Sequence, residues 1–157
     1  MLRFFKKLFC VLLVAILSSL FFSCEFDHGL GPSKTRISGV VIFDSSSTRP
    51  KNVEEVRVAV TAKTLAEILK GEVGLTDIYF GTAVNFGRDT AAYEIALPEG
   101  TFPLIGVLWK KRGENWKPTN LIGVYNPNCS RDFSPLAVQL TKERPIASNV
   151  NICVFWP

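Results

Sequence analysis

The chain has 157 residues, 47% of them hydrophobic and 20% charged, with 18 Lys and Arg against 14 Asp and Glu and a formal net charge of +4; that is one domain's worth of sequence. Arg3, Lys6 and Lys7 lie in the first 23 residues, which hold no acid, so the remainder carries 15 basic against 14 acidic residues and the charge falls to +1. A near-neutral domain lacks the strongly basic footprint of a nucleic-acid binder, and no nucleic-acid partner is expected.

The first element is an apolar run over residues 8–22, broken only by Ser18 and Ser19. At 15 residues it is short of the roughly 20 that cross a bilayer as a helix. A basic stretch, an apolar stretch and then the small residue Ser23 form the layout of a secretory signal, with residues 1–23 removed. Leu20-Phe21-Phe22-Ser23-Cys24 resembles a bacterial lipobox, although Phe21 and Phe22 stand where that family prefers Leu and a small residue. The resemblance implies that the Cys24 thiol carries diacylglycerol and that Cys24 becomes the mature N-terminus. The competing reading is an ordinary signal, or a short uncleaved anchor, with a cysteine there by coincidence. Each buried methylene of a lipid chain contributes about 0.8 kcal/mol and stable attachment takes more than one chain, so a diacyl group anchors the protein to a membrane without spanning it. Residues 24–36, with acids, glycines and a proline in no periodic order, read as a flexible tether. The placement implied is the bacterial cell envelope, at the outer membrane on its periplasmic or surface-exposed face. Glu25 and Asp27 resemble the surface-export signals of some Gram-negative lipoproteins.

From residue 37 to residue 157 short alternating apolar runs are separated by turn formers, the pattern of sheets with one wet face. Strands are predicted over residues 37–43 and 53–62, the second with Val56, Val58 and Val60 inward and Arg57, Ala59 and Thr61 outward. Thr64-Leu65-Ala66-Glu67 has capping-box spacing and opens a short helix with the apolar stripe Leu65, Ile68 and Leu69, stopped by Gly71 and packed over an edge or end of the sheet. Further strands are predicted over residues 78–86, 92–97, 102–110, 121–125, 136–140 and 150–155. Leu104, Ile105, Val107 and Leu108 are apolar on both faces, which makes that strand central and covered twice. The result is an all-β chain, a seven- to eight-stranded β-sandwich of Greek-key type with one short helix.

The four cysteines have three prospects between them. Cys10 leaves with the signal and Cys24 takes lipid. Cys129 and Cys153 remain in a compartment that permits disulfides. Their spacing is neither C-x-x-C nor that of a zinc site, so a structural bridge is expected, worth roughly 3 kcal/mol for a loop of this length. On the last strand Val150, Ile152 and Val154 share one face, leaving Cys153 on the other, within reach of a loop cysteine.

Ile37-Ser38-Gly39-Val40-Val41-Ile42-Phe43, the valine-rich second strand, and Tyr93-Glu94-Ile95-Ala96-Leu97-Pro98-Glu99-Gly100-Thr101-Phe102 together resemble the transthyretin-like, or carboxypeptidase-regulatory-like, β-sandwiches. In these a G-x-V strand opens the fold and an L-x-x-G-x-Y/F turn leads into a central strand. The likeness covers roughly residues 37–108. The helix near residue 65 and the long loops after Lys110 and Tyr125 depart from the pattern. The resemblance implies an accessory, non-catalytic role.

No catalytic residues are assigned. The single histidine, His28, sits in the tether, where an imidazole is not held within the ~2.6–3.2 Å reach of a general base. Glu54, Glu55 and Glu94 are carboxylates, yet no pair is singled out for glycoside hydrolysis. Asn126, Asn128 and Asp132 offer alternating oxygens that suit Ca²⁺, against the plainer reading of a turn in which asparagine takes unusual backbone angles; no metal or cofactor is assigned. Asn128-Cys129-Ser130 matches the glycosylation triplet, which in a bacterial lipoprotein is chance. The surface candidate is residues 109–117, where Trp109 and Trp116 bracket Lys111 and Arg112. Two aromatics and interleaved cations suit a sugar ring or a lipid phosphate, whereas the plainer reading is a hairpin loop with solvated charges after a core tryptophan. The expected function is that of a non-enzymatic, membrane-anchored binding or structural module. Its alternatives are a carbohydrate- or protein-binding subunit of a cell-surface assembly and, least favoured, a carboxylate-dependent hydrolase.

Overall fold

The computed structural model describes residues 35–157; the signal, Cys24, His28 and the tether up to Lys34 lie outside the described residues. In chain order the elements are β1 (Arg36–Phe43), β2 (Val53–Thr61), the helix α1 (Leu65–Leu69), a 3-10 turn (Leu75–Asp77), β3 (Ile78–Ala83), β4 (Thr90–Ala96), β5 (Gly100–Phe102), β6 (Leu104–Lys111), β7 (Leu121–Val124), β8 (Val138–Leu140), β9 (Ile146–Ala147) and β10 (Ile152–Val154). The fold is all-β and sandwich-like. One sheet runs β10-β1-β4 with β9 beside the start of β1, the other runs β3-β2-β6-β7, and β5 with β8 forms a two-stranded ribbon. Because β1 pairs with β4 and β2 with β3, the links β1 to β2 and β3 to β4 each cross between sheets, a Greek-key order.

Period-two alternation explains the main core. Val56, Val58 and Val60 of β2 and Ile105, Val107 and Trp109 of β6 face Ile37, Val41 and Phe43 of β1 across the sandwich, all buried. The opposite face of β2 and β6 is buried too, against the expectation that Ala59 and Thr61 point to solvent. Ala59, Leu104 and Leu108 join Ile68, Val73, Ile78 and Val124 in a second core beneath α1 and the segment that follows it. The helix therefore covers the outer face of the second sheet, not an edge or end, and β6 is covered twice as its sequence demands.

Helix α1 starts where the capping box places it: Thr64 Oγ1 accepts from Glu67 N, and Glu67 Oε2 accepts from Thr64 N at 2.7 Å. Gly71, at φ 76°, ends it in the left-handed region. Of the expected stripe only Ile68 is buried; Leu65 is half-buried and Leu69 is exposed. Thr64→Ala removes the hydroxyl that caps the Glu67 amide and bonds Glu67 Oε2, leaving the bond from the backbone N–H of residue 64 to the Glu67 carboxylate, and urea titration should show a loss of about 1 kcal/mol.

Strand bounds differ from the sequence reading where local chemistry intervenes. Pro103 has no N–H to give a ladder, so the strand expected over residues 102–110 divides: β5 pairs with β8, and β6 begins at Leu104 between β2 and β7. Half-exposed Leu136 stays outside β8. The two-residue β9 has too short an apolar signal to be read. These divisions raise seven or eight expected strands to ten among the described residues.

The last strand joins the two sheets. Beside β1 it runs parallel, from Val41 opposite Ile152 to Phe43 opposite Val154. On its other side it meets β7, through a bridge between Tyr125 and Ile152 and a hydrogen bond from Phe155 N to Ile122 O at 2.8 Å. Val150, Ile152 and Val154 enter the main core. Cys153, between them in sequence, points the other way and stands at disulfide distance from Cys129, with 5.3 Å between the Cα atoms.

Candidate functional site

The chain direction of each strand sorts the loops. β1, β3, β6 and β10 all run towards one end of the sandwich, which collects the link between β1 and β2, the link between β3 and β4, the loop of residues 112–120 and the C-terminal Trp156. Loops held at the end of a rigid sandwich are where such domains carry their contacts.

The sequence candidate, Trp109, Lys111, Arg112 and Trp116, lies at this end, but its two rings are on opposite faces of the second sheet. Trp109 is buried between the sheets, edge-on to Trp156 at 6.3 Å between ring centroids. Trp116 packs on the outer core, 5.2 Å from the Phe80 ring and with the Arg57 guanidinium 5.9 Å from its own centroid. The parity of β6 sends Trp109 inward, and the turn then carries Trp116 over the outer face, so no two-tryptophan platform forms. Lys111 Nζ sits 5.6 Å over the Trp109 ring and 4.0 Å from Glu114. The Arg112 amide donates to Asn52 O at 2.8 Å, while its guanidinium has no ion-pair partner among the described residues.

Each carboxylate considered in the sequence meets its own cation. Glu54 pairs with Lys110 at 2.7 Å, Glu55 with Arg57 at 2.6 Å, and Glu94 with Arg36 at 3.7 Å. The Lys110 ammonium, followed by the Gly113 amide, holds the Glu54 carboxyl below its usual range, the opposite of what a general acid needs. In the loop proposed for Ca²⁺, Asn126 Oδ1 accepts from Asn128 N at 2.9 Å and Asn126 Nδ2 donates to Ser134 O at 2.9 Å. Asn126 is thus committed to an Asx-turn. The left-handed backbone in this loop falls on Cys129 and Phe133, each at φ 50°, not on the asparagines.

A concave feature does exist at this end, built from residues that sequence reasoning did not single out. It is a cleft of about 190 Å³. Phe43 and Trp156, stacked with centroids 5.8 Å apart and planes 11° from parallel, close it on the core side. The link between β1 and β2 contributes Asp44, Ser47 and Arg49, and the link between β3 and β4 contributes Phe86, Arg88 and Asp89. Two hydrogen bonds hold the walls together: Trp156 N donates to Ser47 Oγ at 3.1 Å, and Arg49 Nη1 donates to Phe86 O at 2.9 Å. The Arg49 guanidinium also lies 5.4 Å over the Phe86 ring.

Asp44 forms a rim of the cleft and is fully engaged. Hydrogen bonds from the Ser46 hydroxyl and amide, then from Arg131 at 2.8 Å, bring its carboxyl down to about 2. An acid whose folded value lies below its free value of 3.8 stabilises the fold above that value and loses the contribution as pH falls towards about 2. Carbonyl-detected NMR should place the Asp44 midpoint near 2, and Arg131→Ala should move it upward towards the ordinary range. A midpoint unmoved by that substitution would mean that Arg131 does not fasten the rim.

Compared with protein-family models, with curated proteins and with solved structures, the chain gives no match in any of the three.

Proposed function

We propose that this protein is a non-enzymatic, lipid-anchored lipoprotein of the bacterial cell envelope, with a transthyretin-like β-sandwich carried as a binding module on a tether from Cys24. The observation that carries the reading is the pair Cys129 and Cys153 at disulfide distance. Structural disulfides belong to oxidising compartments, which is where the signal over residues 1–23 delivers the chain. The compartment is thus supported by two parts of the sequence that have no residues in common. The transthyretin-like likeness, which rests on residues 37–43, the valine-rich second strand and residues 93–102, favours an accessory role. Between a purely structural module and a binding subunit, the cleft beside Trp156 favours binding.

The test is intact mass and detergent partitioning of wild type beside Cys24→Ala, both made in a bacterial host. The wild-type mass should begin at Cys24 and include acyl chains, with the variant unprocessed or released to the aqueous phase. Cleavage elsewhere without lipid would overturn the anchored reading.

A further inference from the structure

We propose that the loop end of the sandwich binds a saccharide unit bearing an oxyanion, a carboxylate or a phosphate, seated in the cleft between Arg49 and Arg88. The inference rests on the binding-module reading and is independent of the lipid anchor.

Charge is segregated along the sandwich. Residues 44–57, 84–90 and 109–120, which meet at this end, hold eight Lys and Arg against five Asp and Glu; the rest of residues 35–157 holds six against seven. Ion pairing then separates structural charges from available ones. Glu54 takes Lys110, Glu55 takes Arg57, Glu114 takes Lys111 and Lys117, and Asp44 takes Arg131 from outside these segments. Arg49, Lys51, Arg88 and Arg112 are left without an ion pair among the described residues, facing Asp89 as the one unpaired acid of these segments. Two of the four cations line the cleft.

The geometry narrows the ligand. Arg49 is already oriented by its bond to Phe86 O and its stacking on the Phe86 ring. A guanidinium fixed in this way presents its remaining N–H groups as a fork, which matches the oxygens of a carboxylate or phosphate better than a mobile ammonium does. The cleft, at about 190 Å³, is below the roughly 300–1,000 Å³ of drug-sized pockets and suits a single sugar ring. The Phe86 ring beneath Arg49 and the edge of buried Trp156 supply the apolar part of the lining that a sugar's C–H groups would meet. Asp89, on the same wall as Arg88, is an acceptor for ring hydroxyls. A bare anion would use the arginines alone, and a neutral sugar would leave both of them unanswered. Two envelope sources offer this chemistry: an acidic polysaccharide, through uronate, or the phosphorylated sugar headgroup of a glycolipid.

The mature protein, in whatever processed form the bacterial host yields, is titrated with tetragalacturonate, with delipidated phosphorylated core oligosaccharide, with neutral maltotetraose and with inorganic phosphate, following the Trp156 indole N–H by NMR. Saturable binding of one acidic glycan, at least about tenfold tighter than maltotetraose and inorganic phosphate, is expected, since one charge-assisted hydrogen bond is worth that much. Which acidic glycan binds identifies the source. Arg88→Ala, at an exposed side chain with no ion pair to lose, should weaken binding about tenfold with an unchanged near-ultraviolet spectrum, and Arg49→Ala with Arg88→Ala should abolish it. Equal response to neutral and acidic glycans, phosphate binding as tightly as the glycans, or acidic binding untouched by Arg88→Ala would overturn the proposal. So would no saturable response at all, and a lipidated protein giving that result would still stand as an anchored lipoprotein.

Discussion

Trp109→Ala should destabilise the folded protein by about 3–5 kcal/mol in chemical denaturation, whereas Trp116→Ala should cost only about 1 kcal/mol. The two residues lie in one short segment and carry the same ring, so the difference isolates the face each occupies. Trp109 is buried in the main core, edge-on to Trp156, which is itself stacked on Phe43. Truncation leaves a large cavity lined by aromatics that cannot collapse, because Phe43 is held in the β1 ladder and Trp156 is tied back to Ser47. Trp116 is half-buried over Phe80 and Arg57, where water can replace part of the lost contact. The Trp109 variant should also distort the cleft, since its loss frees the Trp156 ring. Equal losses in the two variants would mean that the rings are not divided between the faces of the second sheet.

Those two tryptophans also mark the boundary of what the sequence made legible. Alternation placed Val56, Val58 and Val60 in the main core and put Cys153 on the opposite side from Ile152 and Val154, because one residue's parity fixes its neighbours along a strand. The spacing of Thr64 and Glu67 located the helix start for a similar reason: both reciprocal bonds form within a single turn. Parity does not survive a loop, so Trp109 and Trp116 look like one patch in the sequence and are separated by a sheet in the structure. Nor does periodicity say what lies above an outward face. Ala59 and Thr61 read as solvent-facing, yet α1 and the segment following it cover them. The cleft was the least legible feature of all. Phe43, Arg49, Arg88 and Trp156 come from three separate stretches, and only the parallel pairing of β10 with β1 brings the chain's end beside the first link. The unpaired Arg88 in a short polar link was the available signal, and it acquires meaning only once topology shows which loops share an end.

The seating of β10 against β7 on its other side depends on close main-chain approach, and Gly123→Ala should reveal it as a loss of about 3 kcal/mol or more. A Cβ on Gly123 would lie 2.2 Å from the carbonyl oxygen of Cys153, with Cys153 C and Val154 Cα just beyond. The obstacle is backbone, which cannot rotate away as a side chain can, so the cost falls at or above the upper end of the overpacking range of about 1–3 kcal/mol. Gly39 stands in the same relation to Val150, whose carbonyl oxygen would be 2.2 Å from an added Cβ. Opposite Gly39 in the ladder, Tyr93 donates its hydroxyl to that same carbonyl at 2.6 Å, and burial raises the pKa of the Tyr93 hydroxyl, keeping it a donor. The segment from Val150 to Val154 is therefore slotted between β1 and β7 at two glycines, with Cys153 tied to the loop outside. A backbone that must shift at Gly123 pushes β10 off β7 and carries Trp156 away from Ser47, so amide exchange should rise first at Phe155 and Trp156, whose N–H groups bond Ile122 O and Ser47 Oγ. A Gly123→Ala protein of wild-type stability, with those two amides still protected, would show that β7 and β10 are not in backbone contact and that the sheets are joined by side chains alone.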